Sequence, residues 1–194
     1  EMEFLNQSDA DRNQFWGFES TDERAEVFGK LGYAFQDEVY RSFGLIYSGS
    51  YQNRNSQFGQ RNTKADLTNL YINAIFQDII GTSAHKYHTG LSLIVDDYNE
   101  SLDSIGRGLY SHSRQEVVPG AFGEYSFEPN DNFTLIAGVR LDYNSYFEKT
   151  YFTPRLNLRY AIGRLTTLRL GGGRGQRTAN KLAENNPILA SSRR

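Results

Sequence analysis

The sequence predicts an all-β fold: an antiparallel, up-and-down transmembrane β-barrel wall of about eight strands. Three observations carry this. Apolar and polar residues alternate with a period of two in segment after segment; short polar connections take turns with long ones; and aromatic residues gather at both ends of the apolar faces. The composition agrees, with 13 Tyr and 13 Phe beside 18 Gly and a mean hydropathy of −0.61.

The strands follow in order. Residues 27–35 put Val27, Leu31, Tyr33 and Phe35 on one face, and residues 39–51 do the same with Phe43, Leu45 and Tyr47. Arg41 shares that parity and departs from the pattern; it lies beside a tight turn, where a long side chain can snorkel to water or a bulge can reverse it. Residues 67–76 carry Leu70, Ile72, Ala74 and Phe76; residues 87–95 carry Leu91, Leu93 and Val95; residues 118–127 carry Ala121, Gly123, Tyr125 and Phe127. Residues 133–143 alternate most cleanly: Phe133, Leu135, Ala137, Val139, Leu141 and Tyr143 oppose Thr134, Ile136, Gly138, Arg140 and Asp142. In the last hairpin Leu156, Leu158 and Tyr160 oppose Arg155, Asn157 and Arg159, and Leu168 and Leu170 oppose Thr167 and Arg169.

Residues facing each other in a pair must point to the same side, which suggests the registers. Phe35 opposite Val39 leaves Gln36, Asp37 and Glu38 as a loop; Phe127 opposite Phe133 leaves a loop of Pro129, Asn130 and Asp131; Ala161 opposite Leu165 leaves Ile162, Gly163 and Arg164. The connection at 77–84 fixes no register. Long polar stretches at 53–64, 96–116, 144–150 and after Gly175 read as loops on the other edge. Tyr33, Phe35, Tyr125, Phe127, Phe133 and Tyr160 sit by the tight turns, and Tyr47, Tyr51 and Tyr143 by the long loops, as two interfacial girdles would.

Alternation alone reports two unlike faces, so a soluble sandwich or lipocalin-like binding barrel with its apolar face inward stays open, as does a small self-contained outer-membrane barrel with a structural or lipid-modifying role. The arginines weigh on the choice. A guanidinium facing lipid at the midplane costs about 2 to 4 kcal/mol, so in a membrane wall the row Arg155, Arg159 and Arg169 must face the lumen. A small barrel filled by its own side chains has little room for such a row; a wide one does.

Other chemistry is sparse. Cysteine is absent, which excludes disulfides and thiol nucleophiles. The formal charge of −2 gives no field for nucleic acid. No apolar run reaches the roughly 18 residues of a spanning helix. His85 and His88 fall on opposite faces of a strand and cannot share a metal, and the acidic run around Asp96, Asp97, Glu100 and Asp103 lacks EF-hand spacing. The segment "GGGRGQR" lacks the Lys-Ser/Thr of a phosphate loop. No cofactor is expected. The chain starts at Glu1 without the basic-then-apolar form of a signal peptide, and an internal part of a longer protein is expected.

The ordered series from "VPGAFGEYSFEPNDNFTLIAGVRLDYNSYFEKT" through "TPRLNLRY" to "TTLRLGGGRGQRTAN" resembles the middle barrel region of TonB-dependent outer-membrane receptors, and "FWGFESTDERAEVFGKLGYAF" and "HKYHTGLSLIVDDYNE" are similar to the same family. The resemblance implies that residues 1–194 are part of a 22-stranded barrel whose plug is missing from this chain. It implies a Gram-negative outer-membrane transporter rather than an enzyme, taking up a ferric siderophore, cobalamin or similar compound, with outer-membrane lipid and the TonB complex as partners. It makes Arg140, Asp142, Arg155, Arg159, Arg169, Arg174 and Arg177 lumen- or plug-facing residues. Ligand contacts in such receptors come from loop tips, which makes Phe58, Tyr98, Tyr110, His112, Tyr146, Asn185 and Asn186 the candidates.

Overall fold

The computed structural model describes residues 17–59, 61–104, 108–163 and 165–178. They form β1 (Phe18–Ala34), β2 (Ser42–Phe58), β3 (Arg61–Ile80), β4 (Thr82–Ser104), β5 (Gly108–Asn130), β6 (Phe133–Asn144), β7 (Lys149–Ile162) and β8 (Thr166–Gly173), in one antiparallel sheet whose spatial order is the chain order. Each strand pairs with the next, and β1 and β8 do not pair with each other. The sheet is therefore open among the described residues, where a self-contained small barrel would close β1 onto β8.

One register carries two unlike faces across all the strands. Leu31, Leu45, Ala74, Leu91, Ala121, Leu141 and Phe152 are successive partners along one row, and Lys30, Ile46, Asn73, Ser92, Gly120, Asp142 and Tyr151 form the row behind it. The apolar face has no protein against it: Leu31 is 62% exposed and Leu91 66%. Phe58 is the one buried hydrophobic residue among those described, while Asn73, Ser92, Glu100, Arg114, Glu116 and Asn144 are all buried. This is the reverse of a water-soluble barrel, in which apolar side chains would point to a core. Ring contacts line the tight-turn edge of the apolar face, with Phe127 and Phe133 at 6.1 Å and Phe133 and Tyr160 at 6.4 Å.

The turns differ from the sequence-based registers. Phe35 donates its N–H to Arg41, not Val39, and β2 starts at Ser42, which puts Val39 and Tyr40 in the turn. Ala161 pairs with Thr167 rather than Leu165. Phe127 pairs with Leu135 rather than Phe133, and a bulge follows before Asn130 meets Phe133. Each change keeps the predicted face. At 77–84 the chain reverses about Gly81, whose φ of 73° suits a residue without a side chain, and a bulge at Ile79/Ile80 restores the register.

Two of the long polar stretches, 53–64 and 96–116, are not loops. β2 and β3 continue through 53–58 and 61–64, and β4 and β5, 23 residues each, continue through 96–104 and 108–116. Alternation fades there because both faces are polar, yet the backbone ladders still satisfy every strand. Beyond about nine to eleven residues a tilted strand has left the bilayer core, so these extensions stand outside the apolar band that ends near Val27, Leu70, Val95 and Val117. At 144–150 a true connection remains, between Asn144 and Lys149, with Glu148 at a φ of 53°.

Candidate polar-face binding surface

Arg140, Asp142, Arg155, Arg159 and Arg169 all lie on the polar face, because the β6, β7 and β8 registers align them there. Arg140 donates from Nε to Asp142 at 2.7 Å and reaches over β5 to the Ser92 hydroxyl at 2.6 Å. Gly120 makes that reach feasible: a Cβ at this position would stand 2.0 Å from Asp142 Oδ1 and 2.9 Å from an Arg140 nitrogen. Arg155 pairs with Glu124, which also faces His88 Nδ1 at 3.5 Å, and His88 Nε2 lies 2.9 Å from Gln77 Oε1. His85, on the apolar face, lies 2.5 Å from the Tyr125 hydroxyl, so the two histidines are held apart. Arg159 donates to the Asp131 carbonyl at 3.1 Å.

After β8 the chain turns over this face. The Arg174 N–H bonds the Pro154 carbonyl, and the Thr178 hydroxyl donates to Glu116 on β5 at 3.0 Å. Arg177 consequently lies by an outer hollow of about 530 Å³ that Asp96, Tyr98, Arg114 and Glu116 also line.

The outer ends of β4 to β6 hold the densest cluster. Arg114 and Glu116 form an ion pair at 3.0 Å with both side chains about 5% exposed or less. Glu116 also accepts from Asn144 at 3.0 Å. The Arg114 guanidinium lies 4.4 Å from the Tyr98 ring and 6.0 Å from that of Tyr146, so two of the ligand candidates converge on a cation already held by the wall. Glu100 pairs with His112 across β4 and β5; burial pushes its carboxyl up, with Arg114 and then His112 pulling the other way. Further out on β1, the Gln52 amide and the Arg54 guanidinium hold Asp22 below the usual carboxylate range.

The remaining candidates do not converge. Tyr110 is exposed at the start of β5, away from Tyr98 and Tyr146 in this cluster. Phe58 ends β2 at the tip of the β2–β3 hairpin, where its ring lies 4.9 Å from that of Phe18, so it is an anchored residue at that tip. Asn185 and Asn186, with Arg164, lie outside the described residues. At the opposite edge Arg41 keeps its apolar-face parity and is neutralised in place, by Asp78 at 2.8 Å and Glu38 at 2.7 Å; the Asp78 hydrogen bond raises its already high pKa. No reversing bulge is involved.

Sequence reasoning did not single out Arg114, Glu116, Asn144, Glu124 or Asn73. The signal for the first two was present in "RQE", whose charges share a face once the segment is a strand.

Comparison with known proteins places these features. The family model described as TonB dependent receptor-like, beta-barrel matches residues 3–192. No curated protein matches the chain. Among solved structures, the siderophore receptor PirA from Pseudomonas aeruginosa aligns with a TM-score of 0.57 at 16% identity, covering 84% of this chain. The alcaligin outer membrane receptor FauA from Bordetella pertussis aligns with a TM-score of 0.55 at 17% identity, covering 76%. The chain spans 28% of the length of each. These similarities carry the fold, an up-and-down antiparallel sheet.

Proposed function

Since this chain belongs to the TonB-dependent receptor-like β-barrel family, we propose that it forms part of the wall of a Gram-negative outer-membrane receptor that imports a scarce small molecule. The observation that carries the reading is the single polar face running through all eight strands, dense in buried charge, behind an exposed apolar face of barrel-wall register. On this reading the apolar face meets lipid and the polar face is the lumen. Arg140, Asp142, Arg155, Arg159 and Arg169 then line the transport route, and Arg174 and Arg177 border it from above β7. The ligand is a metal chelate such as a ferric siderophore, or a vitamin such as cobalamin, and TonB supplies the energy through a plug outside this chain. The role is transport rather than catalysis.

The test takes the full polypeptide that contains this chain. Its recovery in the outer-membrane fraction, with uptake of a labelled chelate that stops when TonB is removed, is the expected result. Recovery as a water-soluble monomer without detergent overturns the reading, and uptake indifferent to TonB overturns the energy source alone.

A further inference from the structure

On the apolar face one row of partners crosses β3 to β8: Asp78, Tyr87, Tyr125, Ala137, Leu156 and Gly172. The row does not run level. Asp78 lies close to the tight turn at Gly81, whereas Gly172 lies well beyond Thr166, where β8 starts, by about 20 Å of strand. It therefore begins at the membrane edge and ends within the apolar band. Its two ends differ in chemistry. At the edge Arg41 donates from Nε to Asp78 at 2.8 Å and from a second nitrogen to Glu38 at 2.7 Å, with the Phe35 ring 6.0 Å away. Backbone bonds from Phe35 to Arg41 and from Arg41 to Glu38 hold this turn in shape. One cation against two carboxylates leaves the cluster negative, and the guanidinium has more N–H groups than these two contacts use. At the deep end the row opens into an apolar groove of about 750 Å³, floored by Gly123, Ala137 and Gly172 and walled by Tyr87, Val139 and Leu156. A Cβ on Gly123 or Gly172 would meet nothing within 4 Å, so this floor is open space.

We propose that this row seats one phospholipid whose headgroup is a zwitterion ending in a primary ammonium. Charge complementarity selects the headgroup. Its phosphate accepts from the remaining N–H groups of Arg41, and its ammonium donates to Glu38, so the headgroup lies antiparallel to the protein's own ion pair and answers the surplus carboxylate. One acyl chain runs past Tyr87 and Tyr125 and fills the groove over Gly123 and Gly172. An anionic headgroup meets a cluster that is already negative, and a choline headgroup has no N–H to donate. No part of the row faces the lumen, so the seat is indifferent to what fills the barrel. The inference rests on the receptor reading, since it needs a bilayer against the apolar face.

Native mass spectrometry of the intact receptor in detergent tests it with three probes of identical acyl chains: dioleoyl phosphatidylethanolamine, phosphatidylcholine and phosphatidylglycerol. One equivalent of the ethanolamine lipid is expected to stay bound, about tenfold more tightly than the other two, since a hydrogen bond between charged groups is worth roughly that factor. Glu38→Gln should remove most of that lead. Gly172→Leu fills the groove and should weaken all three lipids about equally. Glu38 lies in an exposed turn and Gly172 has open space around it, so both variants test the seat without unsettling the sheet. Equal retention of the three lipids by the unaltered receptor, or of none, overturns the proposal. Ethanolamine-lipid binding unchanged in both variants overturns it too, as does a dimer that Gly172→Leu splits, which would put a second copy in the groove. Fractionation of the same preparation decides the receptor reading separately: a protein in the outer membrane that shows no headgroup preference loses this site and keeps that reading.

Discussion

Two parts of the polar face handle charge in opposite ways. Over the outer ends of β4 to β6, Glu100, Arg114, Glu116 and Asn144 are buried in a connected cluster, and Thr178 reaches in to complete it. Over β7 and β8, Arg155 and Arg169 stand in the open, Arg159 is half-buried, and every residue of β8 is exposed. The first region holds its charges out of solvent, with Arg114 and Glu116 paired as ions at 3.0 Å and Glu116 accepting from Asn144 and Thr178. In the second, Arg155 reaches back to Glu124 and Arg159 to the Asp131 carbonyl from an otherwise exposed strand pair. Charge on a strand therefore has two meanings here, and burial separates them.

Glu116→Leu gives the largest expected effect, because it takes the carboxylate partner from the buried Arg114 guanidinium and frees Asn144. Removing one partner of a buried pair costs about 3 to 5 kcal/mol, and faster hydrogen exchange confined to the outer ends of β4 to β6 would register it. Unchanged protection there would mean that the cluster is solvated and the contrast with β7 and β8 is false. Next comes Gly120→Ala, whose new methyl group must push Asp142 and Arg140 away from Ser92. Overpacking of this kind costs about 1 to 3 kcal/mol, and thermal unfolding of the detergent-solubilised receptor would show it; an unshifted midpoint would mean that Arg140 has another route over β5.

Glu100 sharpens the comparison through pH. Its carboxyl is raised in the folded state, so the neutral form is favoured there; the stabilisation is fully present below the ordinary carboxylate pKa and fades as pH rises through the raised value. Glu100→Gln should consequently slow exchange in the β4 and β5 hairpin at pH 7, with the gap to the unaltered protein closing as pH falls to about 4. A gap that widens on acidification would show that Arg114 dominates instead. The smallest effect is expected for Arg169→Gln, within about 0.5 kcal/mol of the unaltered protein. A larger loss of stability would reveal that β8 carries structural pairs of its own.

The same division governs what could be read from the residues. Leu31, Leu45, Leu91 and Leu141 revealed their strands because one face of the sheet is apolar and the other is not, and the row Arg155, Arg159 and Arg169 fell on its side for the same reason. Where both faces are polar, period two vanishes from the sequence while the backbone ladder goes on, so 53–64 and 96–116 passed for loops. Phe58 then resembled a loop-tip aromatic, though Phe18 lies against it from a neighbouring strand. Asn73 could not be singled out at all, since what distinguishes it from Asn69, whose amide donates to Asp96 at 2.5 Å, is a missing partner. Pairing depends on what lies across the ladder, and that is not local information.

The turn pairings found for Phe35, Phe127 and Ala161 each lie two positions from the simplest hairpin, and no strand is inverted by the difference. Descent with modification should leave the same mark on this wall. Insertions and deletions that move a register by two keep lipid-compatible side chains outward and can accumulate in lineages as neutral drift, whereas a shift by one turns a whole strand inside out and is purged unless a bulge absorbs it. Turn lengths among descendants of a common ancestor should then differ by pairs of residues far more often than by single ones.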